Sequence, residues 1–317
     1  MGPKTKTSLR FIVPLILAVC FGWYTFSKLP VSTIIPFVKS ANYWWIILGV
    51  CFGFLSHLSR AYRWKYLLQP LGYQIKFPNS IMAVFITYLA NYGVPRSGEV
   101  LRAAVLTNYE GVPFEKSFGT IVAERMADLI VMLVIIVITL ILEFDFIIDL
   151  LQTSFQTGKI VLLFVTLTVA MGMIVLFIRN SQSQFAQKIK AFLKGLLEGV
   201  MSIFKMKHKW AFIGHTLFIW GMYVLMFYVT TFALPELSNV SIGAVLVAFI
   251  SASFTIAATN GGIFVYPAAV MAAFTVFGIA KDPSFAFGWI MWSAQTIMVI
   301  IAGSLSFIYL PIYNRTK

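Results

Sequence analysis

Six charged residues stand where an apolar sequence has least reason to keep them. The stretch "NYGVPRSGEVLRAAVL", from Asn91 to Leu106, carries Arg96, Glu99 and Arg102 in a chain that is 60% hydrophobic and 11% charged. The stretch "SFGTIVAERMADLIVMLVIIVITLIL", from Ser117 to Leu142, is long enough to cross a bilayer yet carries Glu124, Arg125 and Asp128. An ionised side chain at the centre of a membrane helix costs about 2.5–3.5 kcal/mol. Groups kept there pair with one another, face a cavity and do work.

The first trio reads as an anion-binding elbow. Pro95 stops the helix before it. Ser97 is placed to cap the next helix, and Gly98 lets another group approach the backbone. Arg96 then sits at a helix N-terminus, where unbonded N–H groups and the helix dipole attract anions. Glu99 and Arg102 follow at steps of three, so Glu99 can hold either arginine. A turn at the membrane edge with solvated charges fits the same residues. The second trio reads as an ion-pair knot, with Arg125 balancing Glu124 and Asp128 on one helix, or as a substrate contact. A third stretch, "AATNGGIFVYP", is uncharged. Asn260, Gly261 and Gly262 can present backbone N–H groups to an anion or simply turn the chain tightly. Further on, Trp292 and Thr296 suit packing between helices as well as ligand contact.

The elements that position these residues follow from run length. Long continuous apolar runs exclude alternating β-barrel strands and specify a polytopic α-helical membrane protein. Full spans are expected at Phe11–Phe26, Tyr43–Tyr66, Ser117–Leu142, Lys159–Ile178, Trp210–Phe232 and Ser284–Leu310. Broken pairs are expected at Asn79–Tyr92 with Ser97–Asn108, and at Ser241–Thr259 with Ile263–Ala280. The order span, broken pair, span occurs twice, in units of about 43–142 and 210–310. The first pair is entered from the cytoplasm and the second from outside, the pattern of inverted-topology repeats. The fold class is therefore all-α, with six full spans and two broken or re-entrant helix pairs. The whole of 1–317 forms one integral membrane domain. A basic segment at about 179–209, with apolar residues at helical spacing, reads as an amphipathic helix on an anionic membrane surface or as a solvated loop helix.

The net charge of +13 is distributed beside the spans, which argues for membrane and against nucleic acid. With both termini cytoplasmic, seventeen of the 24 Lys and Arg residues lie on the cytoplasmic side, Arg60 and Arg63 of "RAYRWK" counted among them. The two cysteines and three histidines show no metal-ligand spacing. No metal, cofactor or catalytic residue is expected.

At "NYGVPRSGEVLRAAVL", "VAERMADLIV" and "ATNGGIFVYPAAV" the chain resembles the transmembrane domain family of lysylphosphatidylglycerol synthases, a flippase-like family. The resemblance implies a domain that moves a phospholipid between leaflets. The soluble aminoacyl-transfer domain of full-length synthases is not expected after "LPIYNRTK". Many members carry a Gly at the place of Phe264 and a Glu at the place of Pro267, so this sequence departs from them at the second elbow. The expectation is a transporter in the bacterial inner membrane for a lipid with an anionic headgroup, a phospholipid or a polyprenyl-phosphate carrier. Arg96, Ser97, Gly98, Glu99, Arg102, Asn260, Gly261 and Gly262 would contact the substrate. A lipid-modifying membrane enzyme and a non-transporting scaffold are the alternatives, and a homo-oligomer is left open.

Overall fold

A computed structural model describes residues 31–94, 97–154, scattered positions between 166 and 190, 206–259 and 261–315. The span expected at Phe11–Phe26, most of that at Lys159–Ile178, and much of the basic segment at 179–209 lie outside the described residues, as do Pro95, Arg96 and Asn260.

The described elements are helical, with no strand among them: α1 Val31–Ser40, α2 Tyr43–Leu68, α3 Phe77–Gly93, α4 Ser97–Glu110, α5 Phe114–Leu142, α6 Phe144–Ser154, α7 Lys209–Thr231, α8 Ile242–Ala258, α9 Val265–Val276 and α10 Lys281–Tyr313. Four of them, α2, α5, α7 and α10, are long and apolar enough to cross a membrane. At 1.5 Å per residue, 23 residues of α7 reach about 35 Å, against about 30 Å of hydrocarbon. The 17, 14, 17 and 12 residues of α3, α4, α8 and α9 reach only about 18–26 Å. The two expected broken pairs are therefore pairs of short helices. Two elements went unforeseen, because α1 and α6 are too short to stand out as apolar runs.

Chain contacts divide the protein into two compact units, Met1–Glu124 with Trp210–Lys317, and Arg125–Lys209. In the larger unit α10 packs against α9, α3, α2 and α1, while α3 pairs with α4 and α8 with α9. Local chemistry sets the helix ends. Asn42 caps α2 by accepting from the Trp44 N–H at 3.1 Å, and Ser241 caps α8 through the Ala244 N–H at 3.2 Å. The Asn79 side chain, wholly buried, donates to Glu110 at 2.5 Å and exchanges hydrogen bonds with Asn314, so it ties the start of α3 to the ends of α4 and α10.

Candidate functional site

The charge in α5 is answered by other helices. Glu124 is fully buried, and three arginines converge on its carboxylate. Arg60 of α2 donates from Nη1 to Oε1 at 2.8 Å, and Arg63 of α2 places Nη2 3.3 Å from the same oxygen. Arg102 of α4 makes a two-pronged contact, Nη1 to Oε1 and Nη2 to Oε2, each at 3.1 Å. All three guanidiniums are almost entirely withdrawn from solvent, at 2%, 0% and 1% exposure. A two-pronged Arg–carboxylate contact is among the stronger polar interactions available, and only such geometry offsets the cost of burying charge.

Neighbouring groups hold the arginines in place. The Arg102 guanidinium lies 3.9 Å from the centre of the Trp64 ring, and the Trp64 N–H donates to Thr120 of α5 at 2.8 Å. Arg63 donates to Thr216 of α7 at 2.8 Å and lies 5.2 Å from the centre of the Phe212 ring. One turn before Arg60, buried His57 rests among Tyr88, Phe85 and Tyr223, with ring centres 4.3, 5.5 and 6.0 Å away. The inner face of α2 is thus a polar track, His57–Arg60–Arg63, about 9 Å long at helical rise.

These contacts correct the sequence reading in two places. The knot reading pairs Glu124 with Arg125 on its own helix, whereas its carboxylate is held by Arg60, Arg63 and Arg102 from two other helices. The charge count places Arg60 and Arg63 with the cytoplasmic segments, whereas both are buried inside the helix bundle. The signal that could have found them is their spacing of three within a span, opposite an acid that needed a partner. Arg125 is half-buried and Asp128 is 6% exposed.

At the first elbow, side chains of the same segment hold the start of α4. Gly98 N–H donates to Asn91 Oδ1 at 2.8 Å, so Asn91, not Ser97, caps α4. The Ser97 hydroxyl points back to the Val94 and Ala90 carbonyls, at 2.8 and 3.3 Å. Gly98 does admit a close approach, and the approaching group is α3: a Cβ there would strike the Thr87 carbonyl. Glu99 accepts from Asn91 Nδ2 at 3.4 Å.

The second elbow turns through Gly261 and Gly262, with φ of 70° and 75°. Its N–H groups are taken locally, Gly261 by the Thr259 carbonyl and Gly262 by the Thr259 hydroxyl, each at 3.0 Å. The Gly261 carbonyl accepts from Trp292 of α10 at 2.7 Å. The next residues make a tight γ-turn, with Val265 N–H donating to Ile263 O at 2.7 Å across Phe264 at φ 62°. The tips of the two elbows meet. The Tyr92 ring lies where a Cβ on Gly261 would stand, and its hydroxyl shares a 3.0 Å hydrogen bond with Thr296 of α10. Trp292 and Thr296 therefore serve packing between helices.

The family profile for the lysylphosphatidylglycerol synthase TM region matches residues 11–303. The chain belongs to this family. A UPF0104 membrane protein of Methanocaldococcus jannaschii is 27% identical over 127 residues, 39% of this chain and 37% of that relative, so the match spans little more than a third of the relative's length. No solved structure matches the chain. As a member of the family with several helices of spanning length, it is a multi-pass membrane protein.

Proposed function

We propose that the protein moves a lipid with an anionic headgroup between the leaflets of a bacterial inner membrane, with both termini in the cytoplasm. The observation that carries this reading is the gathering of Arg60, Arg63 and Arg102 inside a membrane protein, around a carboxylate that one phosphate could rival as a partner. Arginine is the side chain that matches phosphate in a planar two-pronged contact. Buried charge in a membrane helix marks a polar path more often than a stability device. The two elbows, touching at Tyr92 and Gly261, are the kind of broken-helix junction at which transporters hold their substrates. The polar contacts of Ser97, Gly98, Gly261 and Gly262 within their own turns shift the weight of substrate binding from these residues to the arginines. Arg96 and Asn260 stay in the proposal as neighbours of the same elbows.

The test is transport by the full chain in vesicles. Fluorescent phosphatidylglycerol should move between leaflets faster than in empty vesicles, and phosphatidylcholine should not. Arg102→Lys keeps a cation but loses the fork, so it should slow transport several-fold at a near-normal melting temperature. Glu124→Gln removes the shared carboxylate and should melt early, because breaking a buried pair costs about 3–5 kcal/mol. A folded protein that leaves phosphatidylglycerol and polyprenyl phosphate where they were would overturn the reading, and a new lipid product would favour the enzyme alternative.

A further inference from the structure

Between α2 and α7 runs an open groove of about 620 Å³, within the size range of small-ligand sites. Its walls are almost wholly apolar, formed by Leu55 and Leu58 of α2, Phe77 of α3, and Ala211 and Phe218 of α7. Both long helices that wall it are of membrane-spanning length. Its floor is not plain packing. Ser59 Oγ and His215 Nδ1 share a 2.8 Å hydrogen bond there, and the adjacent Arg63–Thr216 bond stitches the same two helices one step further in.

One end of the groove differs from the rest. Lys65 holds its ammonium 3.3 Å from the centre of the Tyr62 ring and 5.0 Å from that of Tyr66. The His215 ring lies 5.1 and 5.9 Å from the same two tyrosines. Trp210, 74% exposed at the start of α7, marks this end as the interfacial one. Apolar walls inside, with a cation and phenol hydroxyls at the mouth, match an amphiphile with its tail in the bilayer and a negative head at the surface.

We propose that this groove is a lateral binding site for one acyl chain of an anionic phospholipid, whose phosphate is met by Lys65 beside Tyr62 and Tyr66. The site is distinct from the buried arginines, and its occupancy does not depend on transport.

The experiment uses the full chain in phosphatidylcholine vesicles doped with phosphatidylglycerol that bears a photoreactive diazirine on one acyl chain. Labelled peptides are mapped by mass spectrometry. Gly214 lines the groove and has room for a Cβ, so Gly214→Phe puts a ring into it. Gly221, two turns along the same helix, also has open space and supplies the control Gly221→Phe. Labelling should concentrate on Leu55–Tyr62 and Ala211–Phe218, fall several-fold in Gly214→Phe, and hold in Gly221→Phe. Lys65→Gln should erase the preference for phosphatidylglycerol over phosphatidylcholine carrying the same diazirine. Labelling spread evenly over all lipid-facing helices and unmoved by Gly214→Phe would mean annular lipid only and overturn the proposal. Equal labelling by both lipids in the unaltered chain would overturn the anionic-head assignment. Absence of groove labelling in the unaltered chain while transport proceeds would overturn this proposal and leave the transport reading standing.

Discussion

At the scale of single residues, the sharpest local conflict is at Phe264. A side-chain-bearing residue at φ 62° in a γ-turn sits in a sparsely populated region, a strain of about 1–3 kcal/mol. Here the Phe264 ring packs 5.6 Å from that of Trp289, which offsets part of the strain. This predicts an inversion of the usual order of small residues. Inside a helix Ala is better than Gly by about 1 kcal/mol. At position 264 both substitutions lose the ring contact, but only Gly relieves the backbone. Phe264→Gly should therefore be more stable than Phe264→Ala by about 1–2 kcal/mol, read from thermal melting of the purified variants. Equal melting would show that Phe264 is unstrained.

At the scale of elements, the elbow between α3 and α4 depends on how closely two short helices approach. Gly98 stands against the Thr87 carbonyl and the Asn91 amide oxygen, whereas Gly93, five residues earlier, has open space where a Cβ would go. Backbone cannot move aside as a flexible side chain can. Gly98→Ala should thus separate α4 from α3, weaken the Asn91 cap, and cost about 1–3 kcal/mol. Gly93→Ala should cost nothing measurable. Arg102 is carried on α4, so the same displacement should loosen its two-pronged hold on Glu124 and reduce transport in Gly98→Ala. Denaturant or thermal unfolding of the pair of variants checks the first expectation, and the vesicle assay checks the second. Equal loss in both would show that the close approach at Gly98 is not the source of the destabilisation.

At the scale of the whole molecule, charge asymmetry predicts sidedness. Lys207 belongs to the basic side, and Asp145 to the acidic side. With Cys20 and Cys51 replaced, Lys207→Cys should react with an impermeant thiol reagent only from the cytoplasm, and Asp145→Cys only from outside. Labelling of both from one side would end the inverted-repeat topology. Moving Arg60 and Arg63 from the loop to the interior leaves fifteen Lys and Arg on the basic side against four on the other, so the asymmetry survives the correction.

Much of this was legible in sequence, for a physical reason. A membrane helix must satisfy its backbone within itself, so run length alone locates α2, α5, α7 and α10. Pro95 and the Asn-Gly-Gly run break the apolar pattern locally, so both elbows were visible too. The chain could also say that Glu124 needed a partner, but not which. The rotation of one helix against the next is set by packing, not by the helix's own residues. Only the tertiary structure decided that α2 turns Arg60 and Arg63 inward while α4 brings Arg102 to the same carboxylate. It likewise decided that Asn91 takes the Gly98 N–H and that Thr259 takes those of Gly261 and Gly262. Capping needs a side chain at the right angle as well as the right spacing, and that angle exists only once the helices have packed.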